Sequence, residues 1–220
     1  MEKVEVLRHS VAVRILHWFV FITGILLALT GMELGGLYGV RIFGEQTLRI
    51  HILIGFIFGG IWWLFAAYMC TKEWKWISIT RIPYSVKYLV LETLAWFKLY
   101  PHVEDPRGYN PDKEEYVEKI IPTQVIVWWT YLVLIIIIGL TGLAMYYPDV
   151  FKPIVDFAAA LGSYFNPAGV CDGYTALRAI HRICMYLIGM VMFMHIYAVI
   201  VYEVLISMFT GKRKERVVKE

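Results

Sequence analysis

Four of the six histidines, His17, His51, His181 and His195, lie inside or at the edges of long stretches that contain no Asp, Glu, Lys or Arg. An imidazole in such surroundings has a short menu of chemistry: it ligates a metal through one ring nitrogen, relays a proton, or hydrogen-bonds a neighbouring helix. Taken singly, each of the four is as good a packing residue as a ligand. Their spacing changes that balance. His181 and His195 are 14 residues apart, which on a helix is a rotation of about 1400°, roughly 40° short of four full turns, and a rise of about 21 Å. They share one helix face, one towards each end of a span.

The elements that carry these histidines are long and apolar. Charge-free windows cover 15–32, 50–71, 120–148 and 183–202, which are 18, 22, 29 and 20 residues long. A helix needs about 20 apolar residues to cross the hydrocarbon of a bilayer, so each window is long enough to span. Of the 220 residues 59% are hydrophobic and only 18% charged, which excludes disorder and an ordinary soluble globule. The unbroken apolar runs lack the alternation of barrel strands, which excludes a membrane β-barrel. The predicted fold is an all-α integral membrane protein, one membrane domain over 1–220 built as a four-transmembrane-helix bundle. Its spans cover about 13–34, 48–71, 121–147 and 179–207, with a loop at 72–120 and a tail at 208–220.

Charge sets the orientation. Of the 21 basic residues, 16 fall in the N-terminal arm, the long loop and the tail, and only 5 (Arg41, Arg49, Lys152, Arg178 and Arg182) fall on the other side. By the positive-inside rule both termini and the long loop face the cytoplasm, an N-in/C-in arrangement. The basic tail reads as an orientation signal and a partner for anionic lipid rather than as a nucleic-acid site. The first apolar run is full-length with no clear cleavage site after it, so it reads as a retained span. The aromatic stretch 84–100 contains Lys87, Glu92 and Lys98 and reads as a cytoplasmic interfacial helix. Residues 101–119, with Pro106, Gly108, Asn110 and Pro111, read as a loop, and 153–161 as a short outer surface helix before Asn166, Pro167 and Gly169. Cys70, Cys171 and Cys184 form no C-x-x-C, which leaves a cysteine-ligated cluster or covalent haem attachment without support. His9 and His102 lie in polar text and read as solvated.

Orientation pairs the histidines by depth. The first span starts inside with His17 near its start, and the second starts outside with His51 at its start. His17 is then level with His195 near the cytoplasm, and His51 with His181 near the outer surface. Two bis-histidine sites stacked in a four-helix bundle are what two b-type haems need, because imidazole binds haem iron axially and bundle cores house cofactors between facing helices. Arg14 at the inner level, and Arg49, Arg178 and Arg182 at the outer, are candidate partners for the haem propionates; snorkelling to lipid headgroups explains them equally well. The rival reading, a proton- or metal-transporting bundle, calls for carboxylates beside the histidines at the midplane, and the windows contain none.

Arg-Ile-Leu-His-Trp over 14–18, Leu-Arg-Ile-His over 48–51, and Arg-Ala-Ile-His over 178–181 with His-Ile-Tyr over 195–197 resemble the di-haem cytochrome b subunits of respiratory nickel-iron hydrogenases and formate dehydrogenases. The resemblance implies a subunit of a prokaryotic inner-membrane complex, itself a higher-order oligomer. A periplasmic catalytic subunit and an iron–sulfur subunit would deliver electrons to the outer haem, and menaquinone or ubiquinone would accept them near the cytoplasm. It points to Gln124, Thr123 and Asn110 beside His195 as quinone contacts, although the acidic insertion at 112–118 departs from the tight Asn-x-x-Gln spacing of the formate dehydrogenase branch. The same motifs would serve a subunit that runs electrons outward, as in a thiosulfate or polysulfide reductase.

Overall fold

Long apolar windows become long helices because a backbone surrounded by side chains of this kind satisfies its own hydrogen bonds only along the helix axis. In the computed structural model, strand β1 (Lys3–Leu7) leads into α1 (Val11–Leu34), and a 3-10 turn (Gly44–Gln46) opens α2 (Thr47–Lys72). Short α3 (Trp74–Ile77), α4 (Ile82–Trp96), β2 (Gly108–Asn110) and β3 (Glu115–Glu118) follow. The chain continues through α5 (Thr123–Tyr146), α6 (Lys152–Phe165), α7 (Gly173–Val201), α8 (Ser207–Thr210) and β4 (Lys212–Arg216). The structure describes residues 2–39, 41–166 and 168–218. Pro167 of the α6–α7 link and Lys219 of the basic tail lie outside them. Four helices, Val11–Leu34, Gly44–Lys72, Thr123–Tyr146 and Gly173–Val201, are long and apolar enough to cross a membrane.

The fourth of these starts and stops six residues earlier than the predicted span of about 179–207. Asp172 caps it, its Oδ1 accepting from the Thr175 amide at 2.9 Å, so the helix begins at Gly173 and holds Arg178, His181 and Arg182 well inside its first three turns. It ends where Glu203 turns left-handed at φ 54°. The Val204 amide then donates to the Val199 carbonyl at 3.0 Å and the Glu203 amide to Ile200 at 3.1 Å, a closed helix terminus built without glycine.

Two small antiparallel sheets amend the all-α expectation. β1 pairs with β4 from Lys3↔Arg216 to Leu7↔Lys212. β2 pairs with β3 inside the stretch read as a plain loop, with Asn110 Oδ1 accepting from the Asp112 and Lys113 amides at 2.9 and 3.2 Å to make the turn. The basic tail is therefore structured: Glu215 within it is 1% exposed and accepts from Arg8 at 2.5 Å and Arg213 at 2.7 Å. The second Arg8 nitrogen donates to the Lys119 carbonyl at 2.6 Å, and the Val218 amide to Tyr109 at 3.0 Å, so both ends of the chain and the long loop are knitted together. His9 is not solvated. Burial first, then the neighbouring Arg8 and Lys119 charges, press its pKa down to about 3, so the ring is neutral.

The chain divides into two compact units. In the first, Met1–Trp129 with Ala198–Glu220, Gly24 of α1 faces Phe58 of α2. An aromatic cluster joins Trp62, Phe65 and Trp128, the two indoles stacked at 5.8 Å. The second, Thr130–Tyr197, has a small-residue core of Ala144, Ala158, Ala176 and Leu177. There α6 approaches the start of α7 so closely that a Cβ on Gly173 would sit 2.6 Å from Val155 Cγ1 and 2.7 Å from the Val155 carbonyl oxygen. A carbonyl cannot swing away, so Gly173→Ala should destabilise this unit by about 1–3 kcal/mol. Gly162→Ala, whose nearest neighbour is the movable Cys171 thiol at 2.8 Å, should cost less. Thermal unfolding in detergent ranks the two, and equal midpoints would discount the backbone contact.

Candidate functional site

The last two turns of α1 grip the first two turns of α2. Thr30 and Glu33, three residues apart on α1, meet Thr47 and His51, four apart on α2. The Glu33 carboxylate accepts from the amides of Ile42, Phe43 and Gly44 at 3.0, 3.2 and 3.1 Å and from the Thr47 hydroxyl at 2.5 Å. This clamp closes the link and fixes where α2 begins, one turn before His51. Glu33→Gln would aim an amide N–H at some of those donors and weaken the clamp. The expected result is faster proteolysis within the α1–α2 link; an unchanged rate would mean the link holds without the carboxylate.

His51 is held in a defined state. The Thr30 hydroxyl lies 2.8 Å from the Leu26 carbonyl and 2.8 Å from His51 Nδ1, and the threonine is fully buried. A hydroxyl has one proton. With that proton on the helix carbonyl, the oxygen accepts and Nδ1 carries a ring hydrogen; in the neutral imidazole Nε2 is then the nitrogen with the lone pair. In the other unit His181 repeats the arrangement: Thr141, 4% exposed, donates to Ile137 at 2.9 Å and meets His181 Nδ1 at 2.9 Å. The next residue on α5 is Gly142, where a Cβ would lie 3.4 Å from His181 Cε1. Each ring thus has Nδ1 engaged by a neighbouring hydroxyl, and in the neutral imidazole this leaves Nε2 as the ligating atom.

The remaining residues singled out in the sequence fall as follows. His17 is half-buried on α1, edge-on to Trp18 at 5.6 Å and Phe65 at 6.4 Å. His195 is half-buried on α7, fourteen residues after His181. Arg14 donates to the Phe209 carbonyl of α8, and Trp18 Nε1 to Met208 at 3.1 Å, so the start of α1 is tied to the chain after α7. Arg49, Arg178 and Arg182 are exposed, with Arg178 over the Tyr174 ring at 6.0 Å. Thr123 and Gln124 form the half-buried first turn of α5. Asn110 is buried, and its side-chain oxygen makes the β2–β3 turn.

A family model for prokaryotic cytochrome b561 matches residues 8–211. The chain belongs to the prokaryotic cytochrome b561 family. A search of curated proteins finds no match. Membership makes this a multi-pass membrane protein that binds b-type haem and transfers electrons, with the four long helices as its membrane part. The donor chemistry of a b561 protein fits the residues present. A haem iron takes imidazole nitrogen, and His51 and His181 each have Nδ1 engaged with a buried threonine hydroxyl, as metal-ligating histidines have at their second ring nitrogen. Thr30, Thr141 and Glu33 did not emerge from the sequence. The available signal was polarity at matching depth: Thr30 and Thr141 lie towards the ends of charge-free windows, where a hydroxyl satisfied only by its own helix is unremarkable until a histidine is known to face it.

Proposed function

We propose that the chain is the membrane cytochrome b subunit of a respiratory hydrogenase or formate dehydrogenase complex in a prokaryotic inner membrane. In this reading two b haems are ligated by His17 with His195 near the cytoplasm and by His51 with His181 near the outer surface. Bound there, the haems supply one-electron carriers between a periplasmic iron–sulfur partner and a membrane quinone on the cytoplasmic side. The observation that carries the ligand assignment is a repeated hydrogen bond: two histidines on different helices each engage Nδ1 with a buried threonine hydroxyl, as metal-ligating histidines engage their second ring nitrogen. Pairing by depth rests on the 14-residue spacing within α7 and the positive-inside orientation.

The protein's part is to hold, orient and insulate. Neutral imidazoles bind without adding charge to the apolar interior, where an uncompensated charge is costly. Arg14, Arg49, Arg178 and Arg182 supply cations for propionates at the two levels. Thr123, Gln124 and Asn110 lie on the cytoplasmic side of the proposed topology, and contact with a quinone headgroup there is part of the proposal. A proton- or metal-transport role gains nothing from the side chains, because among the described residues no three His, Cys, Asp or Glu side chains converge.

The test is reduction by quinol. Purified protein in detergent, oxidised and then mixed with a water-soluble menaquinol or ubiquinol analogue, should develop the b-type α band without dithionite. Full reduction by dithionite with none by either quinol would overturn the quinone terminus.

A further inference from the structure

Thr30 and Thr141 come from different helices and different units of the chain, yet they do the same thing with the same atoms. Each is buried, each gives its hydroxyl proton to a carbonyl of its own helix one turn earlier, and each leaves its oxygen for a histidine Nδ1, at 2.8 Å for His51 and 2.9 Å for His181. A hydrogen bond that served only to join helices would be satisfied by either ring nitrogen, and by a threonine with its proton pointing either way. Here each hydroxyl has a carbonyl of its own helix to take its proton, which leaves its oxygen to accept from Nδ1–H. Withdrawing the Nδ1 proton towards an oxygen increases electron density on Nε2 and strengthens it as a ligand to the more highly charged iron.

We propose that Thr30 and Thr141 are positioning residues that fix the tautomer of His51 and His181 and lower the reduction potential of the haem those histidines hold. This rests on the reading above that His51 and His181 ligate one haem. Two hydroxyls acting together hold that haem in its ferric form to lower potentials than imidazoles without the bonds would.

The test is an equilibrium redox titration of the purified protein, followed at the haem α bands, for wild type, Thr30→Val, Thr141→Val, the double variant, and Thr30→Ser and Thr141→Ser. Valine keeps the branched shape and removes the hydroxyl; serine keeps the hydroxyl. Each valine variant should raise the midpoint of the same haem by about tenfold in its ferric-to-ferrous equilibrium, about 59 mV for a one-electron couple. The double variant should shift it further, the other haem should not move, and the serine variants should stay near wild type. The low-spin ferric electron paramagnetic resonance signal of the shifted haem should change with it. Should a valine variant lose that haem, the serine variant must restore both content and midpoint, and serine behaving like valine overturns the proposal. Two haems with unmoved midpoints in both valine variants overturn it as well, while leaving the haem reading intact. Shifts in two different haems would overturn the pairing of His51 with His181, and a wild-type protein without haem b would overturn the reading on which the proposal rests.

Discussion

Replacing His195 with alanine should remove one of the two proposed haems and abolish quinone reduction by the proposed complex, while a dye that accepts electrons directly from the catalytic partner is still reduced. The expectation follows from what a bis-histidine site needs. A six-coordinate low-spin haem requires both axial nitrogens, and alanine leaves one ligand and a gap where the other ring stood. His17→Ala should remove the same haem, because the proposed topology puts both residues at the cytoplasmic level. His51→Ala and His181→Ala should remove the other, and the haem left in those variants should still be reduced by added quinol. Difference spectra of the four single variants give a two-and-two pattern. Quinone reduction surviving in His195→Ala would show that the inner site is assigned to the wrong residue.

The second large effect lies outside the spans. Arg8 and Glu215, separated by 207 positions in sequence, form an ion pair at 2.5 Å with side chains only 4% and 1% exposed. Burial lowers the Arg8 pKa from its ordinary value and the Glu215 carboxylate opposes that. Glu215→Ala therefore leaves an uncompensated guanidinium in the interior and also frees Arg213, at a cost of about 3–5 kcal/mol. The expected result is release of β1 from β4, seen as fast hydrogen exchange in both strands and tryptic cleavage at Lys212–Arg216. The double variant Arg8→Met with Glu215→Leu should recover much of the protection, since removing both charges costs far less than removing one. Equal exchange in wild type and Glu215→Ala would show that the pair contributes nothing.

The difference between what could be read in the sequence and what could not is physical. The four long helices were legible because a charge-free stretch of about 20 residues has few other fates. The four histidines stood out because ionisable groups are rare in such stretches. The β1–β4 pair was hidden because Lys212–Arg216 reads as a run of solvated charge, and the strand becomes stable only when Arg8 and β1 meet Glu215. The early start of α7 could have been read from Asp172, whose cap to Thr175 is a local signal. Its early end could not, because Glu203 takes a left-handed conformation that its residue type does not advertise. Thr30 and Thr141 acquire meaning only from helix neighbours 21 and 40 residues away in the chain.

The most direct measurement is the haem content of the purified chain by pyridine haemochrome assay against protein mass. Four histidines acting as two axial pairs give about two haems b per chain, both low-spin. A stoichiometry of one, with all four histidines intact, would contradict the two-pair account.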